Sequence, residues 1–432
     1  MTRLTASIAA HNPDIVLIDL DNPSRDALEA LTLASAPLER PVALFVDQSD
    51  ADLTRLAIEA GVSAYVVDGL RADRLKPIID AAPLIVAREM GFDRAEGVTL
   101  DLRRAHSWSA LRDMVSFGQV MAAQMLAPMP VATALGLSGA GGPLAAVAVL
   151  STNGEVIGVS RRIEERLRAN GHGFDFHDAR AAGLALIAAA NGPLRIGVPF
   201  PFSMHAELLY HWLTALGLPA PAGVDIRTVP PPLMAAALAA EELDAFCVGE
   251  PWGSMAVENG SGALLLPGAA IWPGAPEKVL GVRADLADTA PEPLCGLIRA
   301  LWRAGEWLAD PSHRTSACAM LSGRDYLEVP DEVIDRALSG HLTITPRGDS
   351  RSVPGFVDFT RYTPQPQHAA WIGTQLAARM GLDRTSARAA AVATFRTDLH
   401  SQIVHAIPGY QMRPSGFARS FDGQDFSADL PE

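Results

Sequence analysis

Three residues in the second half of the chain can donate hydrogen bonds to a small anion. His205 lies near the start of a predicted helix, where backbone N–H groups also attract negative charge. Gly249 stands beside a predicted tight turn, and its backbone N–H can serve the same purpose. Lys278 adds a full positive charge, which acts most strongly where water is excluded. A carboxylate facing such an anion would be costly unless it were protonated or paired.

Each of these residues also has a simpler interpretation. A histidine at a helix start is often exposed or a cap, and an isolated lysine is usually on the surface. Gly249 can be a turn residue and still donate its N–H. Trp252 and Trp272 are expected to form walls of a cleft, or to be ordinary core residues. Trp108 is expected to belong to the core or to a lobe interface.

Strands and helices alternate around these residues. Residues 194–205 predict a strand, a proline-rich turn and a helix with Ser203 as its N-cap. Residues 243–252 predict a strand that ends at a glycine turn. Earlier in the chain, a short apolar strand after Lys76 runs into a helix ending at Gly91, and Val98–Leu102 follows as another strand.

The first eighty residues predict half of a doubly wound α/β domain. Short apolar runs indicate buried strands at 14–19, 41–46 and 61–68, with helices at 24–34 and 50–60 between them. Strands that alternate with helices predict right-handed crossovers on a parallel sheet.

Composition excludes several classes of protein. The chain has 432 residues, 49% of them hydrophobic, which predicts two to four globular domains rather than a disordered chain. A net charge of −14 argues against a protein that coats nucleic acid or anionic membranes. The three cysteines are too scattered for a disulfide framework or a zinc pair, so no metal or cofactor is expected. Catalytic motifs are not found either, which predicts a protein that is not an enzyme.

The opening residues predict a cytoplasmic location. Met1–Ala10 contains no apolar run long enough for the core of a signal peptide. The most apolar stretches further along fall short of a membrane span and are broken by glycine, proline or charge.

Residues 194–205, 243–252 and 271–280, in this order between Leu194 and Ala284, resemble the nitrate/bicarbonate-binding proteins of the NrtA/CmpA type. The likeness extends over residues 77–410. The missing export signal narrows it to cytoplasmic nitrate/nitrite sensors of the NasS type. The resemblance implies a two-lobed, periplasmic-binding-protein-like α/β fold in which His205, Gly249 and Lys278 hold the oxyanion.

The resemblance implies two further ligand-binding positions, and this sequence departs from the family pattern near each of them. Met125 stands where the family has a tryptophan, and its neighbour Gln124 can still donate an amide N–H. Asn153 lies in a loop that usually offers an amide, next to Glu155, which cannot donate while it is ionised. The resemblance therefore predicts binding of nitrate or nitrite, with bicarbonate as an alternative ligand.

Residues 18–23 resemble the strand end that carries the phospho-accepting aspartate of a response-regulator receiver, a flavodoxin-like domain. The closest likeness is to antiterminators of the NasT type. The acidic pair that holds Mg²⁺ is missing, and Val46-Asp47 and Asp68-Gly69 replace the usual hydroxyl and lysine positions. Asp19 is therefore expected to be an exposed carboxylate rather than a phosphorylation site. RNA-binding helices do not follow, so direct binding of nucleic acid is not expected.

The predicted organisation has five parts. They are a truncated receiver-like domain (1–76), the first part of lobe 1 (77–192), lobe 2 (193–284), a return to lobe 1 with C-terminal helices (285–415), and a tail expected to be disordered (416–432). The lobes are expected to join near Asn191–Leu194 and Gly281–Asp285. The predicted function is a cytoplasmic nitrate/nitrite sensor that controls a NasT-type antiterminator, or its receiver domain in cis. The alternative is the substrate-binding component of a nitrate/bicarbonate ABC transporter.

Overall fold

The computed structural model describes residues 16–20, 42–46, 64–67, 79–105, 107–138, 141–360, 363–407 and 419–424. The chain divides into two compact units, Met1–Arg74 and Leu75–Glu432. This boundary lies two residues before the one expected from the sequence.

The first unit contains a parallel sheet. Its strands are β1 (Val16–Leu20), β2 (Val42–Val46) and β3 (Ala64–Val67), which pair in this order. Both pairings are parallel, as the alternating pattern predicted. Asp19 lies in β1 in register with Phe45 of β2. The helices predicted at 24–34 and 50–60 lie outside the described residues.

The second unit is built on two larger sheets, one in each lobe. The lobe 1 sheet is antiparallel and contains β4 (Ala122–Leu126), β5 (Leu144–Asn153), β11 (Pro276–Arg283) and β14 (Val357–Asp358), in the order β14-β5-β11-β4. The lobe 2 sheet is mixed and contains β6 (Glu155–Ser160), β7 (Leu194–Val198), β8 (Val224–Thr228), β9 (Ala245–Gly249) and β10 (Gly262–Pro267), in the order β10-β6-β9-β7-β8. A separate antiparallel pair is formed by β12 (His341–Thr343) and β13 (Ser350–Ser352).

Helices cover both sheets. Those before the first crossing are α1 (Ala82–Glu89), α2 (Phe92–Ala95), α3 (Trp108–Ser116) and α4 (Pro128–Ala134). Lobe 2 carries α5 (Arg161–Ala169), α6 (Ala179–Ala189), α7 (Met204–Ala215), α8 (Met234–Ala239) and α9 (Trp252–Glu258). The C-terminal helices are α10 (Ala284–Thr289), α11 (Glu292–Ala309), α12 (Arg314–Leu321), α13 (Asp331–Ser339), α14 (Pro366–Met380), α15 (Arg384–Thr394) and α16 (Thr397–His405).

The chain crosses between the two lobes at positions different from those predicted from the sequence. The chain leaves lobe 1 at Asn153–Glu155 and returns along residues 268–275, because β6 belongs to the lobe 2 sheet and all of β11 to the lobe 1 sheet. The expected crossings near Asn191–Leu194 and Gly281–Asp285 are therefore wrong. β5 runs almost directly into β6, so the hydrophobicity of the sequence does not change at the first crossing. The backbone does change there, because Asn153 and Gly154 have positive φ values of 56° and 93°.

Two early segments also differ from the expected strands. Residues 79–81 form a short 3₁₀ helix that leads into α1. Val98–Leu102 is irregular, because the buried Asp93 takes up its backbone donors: the Asp93 carboxylate accepts from Leu100 N at 2.9 Å, and the Asp93 carbonyl accepts from Val98 N at 3.0 Å.

Part of the expected disordered tail is instead packed against the body of this unit. Among the described residues 419–424, Phe421 N donates to the carbonyl of Ile271 at 2.9 Å, and Ser420 is buried. The Phe421 ring also lies 5.9 Å from the imidazole of His211 on α7. This short segment therefore contacts both lobe 2 and the return crossing.

Candidate functional site

Helix α7 carries His205 into the interior of the protein. The hydroxyl of Ser203 accepts a hydrogen bond from Ala206 N at 3.2 Å, which confirms Ser203 as the N-cap and starts the helix at Met204. His205 in the first turn is 1% exposed. The interpretation of this histidine as an exposed or capping residue is thereby excluded.

Strand β11 directs two consecutive residues into the same buried region. Glu277 and Lys278 are both fully buried. Neighbouring residues of a regular strand point to opposite faces, but the pairing of β11 with β5 shifts on both sides of Lys278. This irregularity lets the ammonium of Lys278 contact the Oε1 atom of Glu277.

The imidazole and the ammonium meet at this carboxylate. His205 Nδ1 lies 3.4 Å from Glu277 Oε1, the same oxygen that contacts Lys278 Nζ. His205 comes from lobe 2 and Lys278 from lobe 1, so the cluster forms where the two lobes meet. Burial raises the pKa of Glu277, and the charge of Lys278 opposes that rise.

Lys278 is also unusual in this sequence. Of the 35 basic residues only Lys76 and Lys278 are lysines, and all the others are arginines. An arginine is bulkier, more rigid and permanently charged, whereas a lysine places a compact charge at the end of a flexible stem. The rarity of lysine is a signal in the sequence that could have singled out position 278.

Trp108 lies beside the cluster where the two lobes meet, the second of the two places expected for it. Its ring centroid is 5.8 Å from Lys278 Nζ, within the range of a cation–π contact. It is the first residue of α3, whose N-cap Ser107 accepts from Ala110 N at 3.0 Å. The sequence offered no signal for this contact, because it joins elements about 170 residues apart.

Gln124 faces the same side of lobe 1. It lies on β4 in register with Leu280, and its Nε2 has no hydrogen-bond partner among the described residues. Gln124 and Trp108 both line a cavity of about 550 Å³, together with Arg88, Ser107, Pro231 and Tyr326. Its amide is therefore available to a ligand in this cavity.

Asn153 occupies a different place. Its Oδ1 accepts a hydrogen bond from Gly274 N at 2.9 Å, which ties the first crossing to the return crossing. It lines a second cavity of about 550 Å³, with Phe176, Gly274 and Asp358 among the other walls. The structure thus assigns the Asn153 amide oxygen to the crossing and brings it into a cavity that Gln124 does not share.

Gly249 lies at the end of β9, directly opposite Glu155 at the start of β6. It is buried and stands beside Glu250, whose backbone N donates to the carbonyl of Gly154 at 3.0 Å. Glu250 pairs with a neighbouring donor, since its Oε2 accepts from Ser254 N at 3.1 Å. Burial raises the pKa of Glu250 to about 7.

The two tryptophans differ in their surroundings. Trp272 lies in the return crossing, and its ring packs at 4.8 Å from Trp371 and 5.4 Å from His368, both on α14. Trp252 begins α9, is 6% exposed, and its Nε1 has no partner in the part of the chain that is described. Trp272 therefore belongs to an aromatic cluster against a C-terminal helix, while Trp252 keeps an unused donor close to Gly249 in sequence.

Two features are absent from the described residues. Groups of three or more His, Cys, Asp or Glu side chains with the geometry to hold a metal ion are not found there. The described helices also include none with the length and apolar character needed to cross a membrane.

The model of the NMT1-like family matches residues 75–322, more than half of the chain. The chain belongs to this family. The nitrate/nitrite binding protein NrtA of Nostoc is 30% identical over 311 residues, which cover 69% of this chain and 68% of the relative. The nitrate import ATP-binding protein NrtC of Synechocystis is 30% identical over 390 residues, which cover 87% of this chain but 56% of the relative. The chain thus spans little more than half the length of that longer relative.

A solved structure supports the fold of this family member. The crystal structure of the periplasmic nitrate-binding protein NrtA from Synechocystis superposes with a TM-score of 0.69 at 27% identity, over 80% of this chain and 92% of the other. The two-lobed, periplasmic-binding-protein-like α/β fold expected from the sequence is therefore confirmed.

Proposed function

We propose that this chain binds nitrate or nitrite between its two lobes. One observation carries the proposal: His205 of lobe 2 and Lys278 of lobe 1 converge on a single buried carboxylate oxygen. A small acceptor ligand at this point would receive a charged donor from one lobe and an imidazole N–H from the other. The names of the relatives, nitrate/nitrite binding protein and nitrate import protein, support the same ligand class.

Such a site couples binding to lobe closure. When the lobes separate, His205 and Lys278 separate with them, because each is fixed to its own sheet or helix. A ligand that contacts both residues therefore favours the closed arrangement over the open one. Trp108 lies over the Lys278 ammonium, and it lines the first of the two cavities together with Gln124.

Titration calorimetry against nitrate, nitrite and hydrogencarbonate tests the proposal. We expect saturable binding of at least one of these anions. His205→Ala should weaken it by about tenfold or more, since a charged ligand loses a buried donor. The matched control is His177→Ala, because the His177 side chain is 79% exposed. Binding that is lost equally in both variants, or that is absent for all three anions, would contradict the proposal.

The finer role that we propose is that of a cytoplasmic sensor. In this proposal, lobe closure changes the surface offered to a NasT-type receiver, either a separate antiterminator or residues 1–76 of the same chain. A covalently linked partner would act at high effective concentration. Limited proteolysis checks the cis arrangement: nitrate should change the cleavage rate within residues 1–75, and equal, immediate cleavage with and without nitrate would exclude it.

The second candidate is a substrate-binding component that delivers the anion to an ABC transporter. The relatives favour it, because they include a nitrate import protein and a periplasmic nitrate-binding protein. Locating the expressed protein in its native cell separates the two roles. A transport component is expected outside the cytoplasmic membrane, and a sensor inside it.

A further inference from the structure

The candidate site contains an acceptor that an acceptor-only ligand should avoid. Glu277 Oε1 contacts Lys278 Nζ and lies 3.4 Å from His205 Nδ1. Glu277 Oε2 has no hydrogen-bond partner within the described part of the chain. An anion bound to Lys278 would therefore meet a buried carboxylate that already holds the same cation.

The charges nearby do not balance a second anion. Lys278 and Glu277 together are neutral, and adding a singly charged oxyanion leaves one net negative charge in a region from which water is excluded. Cys247 on β9 lies within electrostatic range of Glu277, Lys278 and Glu155, and neither Cys247 nor Glu155 is a cation. His205 supplies a positive charge only by taking up a proton. An oxyanion without a donor would face the buried Glu277 carboxylate with no proton between the two acceptors, which is strongly unfavourable, so such a ligand needs one more proton.

We propose that this site binds an oxyanion together with one proton, and that Glu277 selects ligands by where this proton comes from. Nitrate and nitrite carry no donor, so the proton must come from solvent and be held between Glu277 and His205. Hydrogencarbonate brings its own O–H, which can donate to the Glu277 carboxylate without any uptake. The inference rests on the proposed function and specifies the ligand class of the same site.

The electrostatics of the pair support this coupling. Burial already raises the pKa of Glu277 against the opposing charge of Lys278, and a bound anion would raise it further. The proton on Glu277 or His205 then acts as a donor to nitrate instead of a repelling acceptor.

Calorimetry of the full chain with nitrate, in two buffers of different ionisation enthalpy at one pH, counts the protons. We expect uptake of about one proton per nitrate, and an affinity that falls about tenfold per pH unit where the coupling is complete. With hydrogencarbonate, in a closed cell at pH about 8, we expect uptake close to zero. These measurements on the unmodified protein do not depend on whether any variant folds.

The variant Glu277→Gln then tests whether Glu277 is responsible for the proton uptake. The variant should bind nitrate without proton uptake and with little dependence on pH, and at pH about 8 it should bind nitrate more tightly than the unmodified protein. Glu164→Gln is the matched control, because Glu164 is also a buried glutamate in an ion pair, 2.8 Å from Arg168 on α5. Arg168 keeps Asp349 at 3.3 Å in that variant, and we expect unchanged proton uptake.

The outcomes separate this inference from the proposed function. Nitrate binding without proton uptake, uptake that persists in Glu277→Gln, or equal uptake with hydrogencarbonate would each overturn the inference and leave anion binding intact. Failure of every anion to bind would overturn the proposed function and the inference with it.

Discussion

Two buried glutamates in the second unit are paired in different ways. Glu207 lies on α7, two residues beyond His205, and both of its oxygens contact the guanidinium of Arg379 on α14, one of them at 2.8 Å. The same guanidinium stacks 4.7 Å from the ring centroid of Tyr210. Glu277 engages its cation through Oε1 alone, and its other oxygen has no partner among the described residues.

The difference separates a structural pair from one that can exchange partners. A two-pronged contact with an arginine satisfies both carboxylate oxygens and fixes α14 against lobe 2. The C-terminal helices thus hold both lobes, not lobe 1 alone as the sequence suggested. A flexible lysine that shares a single oxygen with a histidine can turn its ammonium to a ligand. Between these two glutamates, hydrogen-bond saturation rather than burial is the feature that distinguishes the one at the candidate site.

Breaking the saturated pair should have the largest effect on stability. Arg379→Ala leaves Glu207 buried without its cation, and we expect a loss of about 3–5 kcal/mol in the free energy of unfolding. Urea unfolding measures it. Arg227→Ala is the control, since the Arg227–Asp225 pair is exposed on both sides, and it should change stability by less than about 1 kcal/mol. Equal losses in the two variants would erase the distinction between the pairs.

Removing the cation of the unsaturated pair should affect binding most. Lys278→Met keeps an apolar stem of similar length but no charge, so nitrate affinity should fall by about 100-fold, roughly 2.7 kcal/mol. Calorimetry compares the nitrate affinities of Lys278→Met and Arg379→Ala, without urea and at a temperature at which both variants are folded. If Arg379→Ala weakens nitrate binding as much as Lys278→Met does, the assignment of separate roles fails.

Glu250 extends the comparison to a buried glutamate that contacts no cation among the residues the structure describes. Its folded pKa is about 7 against a reference value of 4.5, so the folded state binds the proton more tightly. The stability that this difference in pKa contributes is fully present below pH about 4.5 and is lost as pH rises through about 7. Glu250→Gln should therefore gain about 2 kcal/mol over the unmodified protein between pH 5 and pH 8, measured by urea unfolding. If Glu250→Gln instead gained stability over the unmodified protein as the pH falls, Glu250 would be ionised in the folded state.

The smallest effect is expected at Asn153. Asn153→Ala removes the acceptor of Gly274 N and should cost about 1 kcal/mol of stability. Nitrate affinity should change less than about twofold, because the amide oxygen serves the crossing. A tenfold loss in calorimetry would instead return Asn153 to the ligand set implied by the family resemblance.

Local elements could be predicted from the sequence because their signals are local. The strand β7, the turn and the capped start of α7 follow from an apolar run, prolines and Ser203 within twelve residues. The strand β9 and its glycine end follow in the same way. These two segments place His205 and Gly249, which is why the family resemblance could point to them.

The composition of the cluster could not be predicted. A carboxylate near the anion is expected to be costly unless it is protonated or paired, so the sequence did not point to Glu277 as a member of the site. The pairing of β11 shifts on both sides of Lys278, and no local pattern predicts this irregularity. Trp108 reaches Lys278 through tertiary packing that no spacing reveals. The strand predicted at 98–102 has residue types that favour a strand, but it does not form, because the Asp93 carboxylate competes for its backbone donors.

A crystal structure of the full chain grown with nitrate tests the central claim most directly. We expect a planar, three-oxygen density within hydrogen-bonding distance, about 3 Å, of both Lys278 Nζ and the His205 ring, with the lobes closed around it. Nitrate bound only in the cavity beside Asn153, or a closed structure in which Lys278 and His205 contact Glu277 and no anion at saturating nitrate, would contradict it.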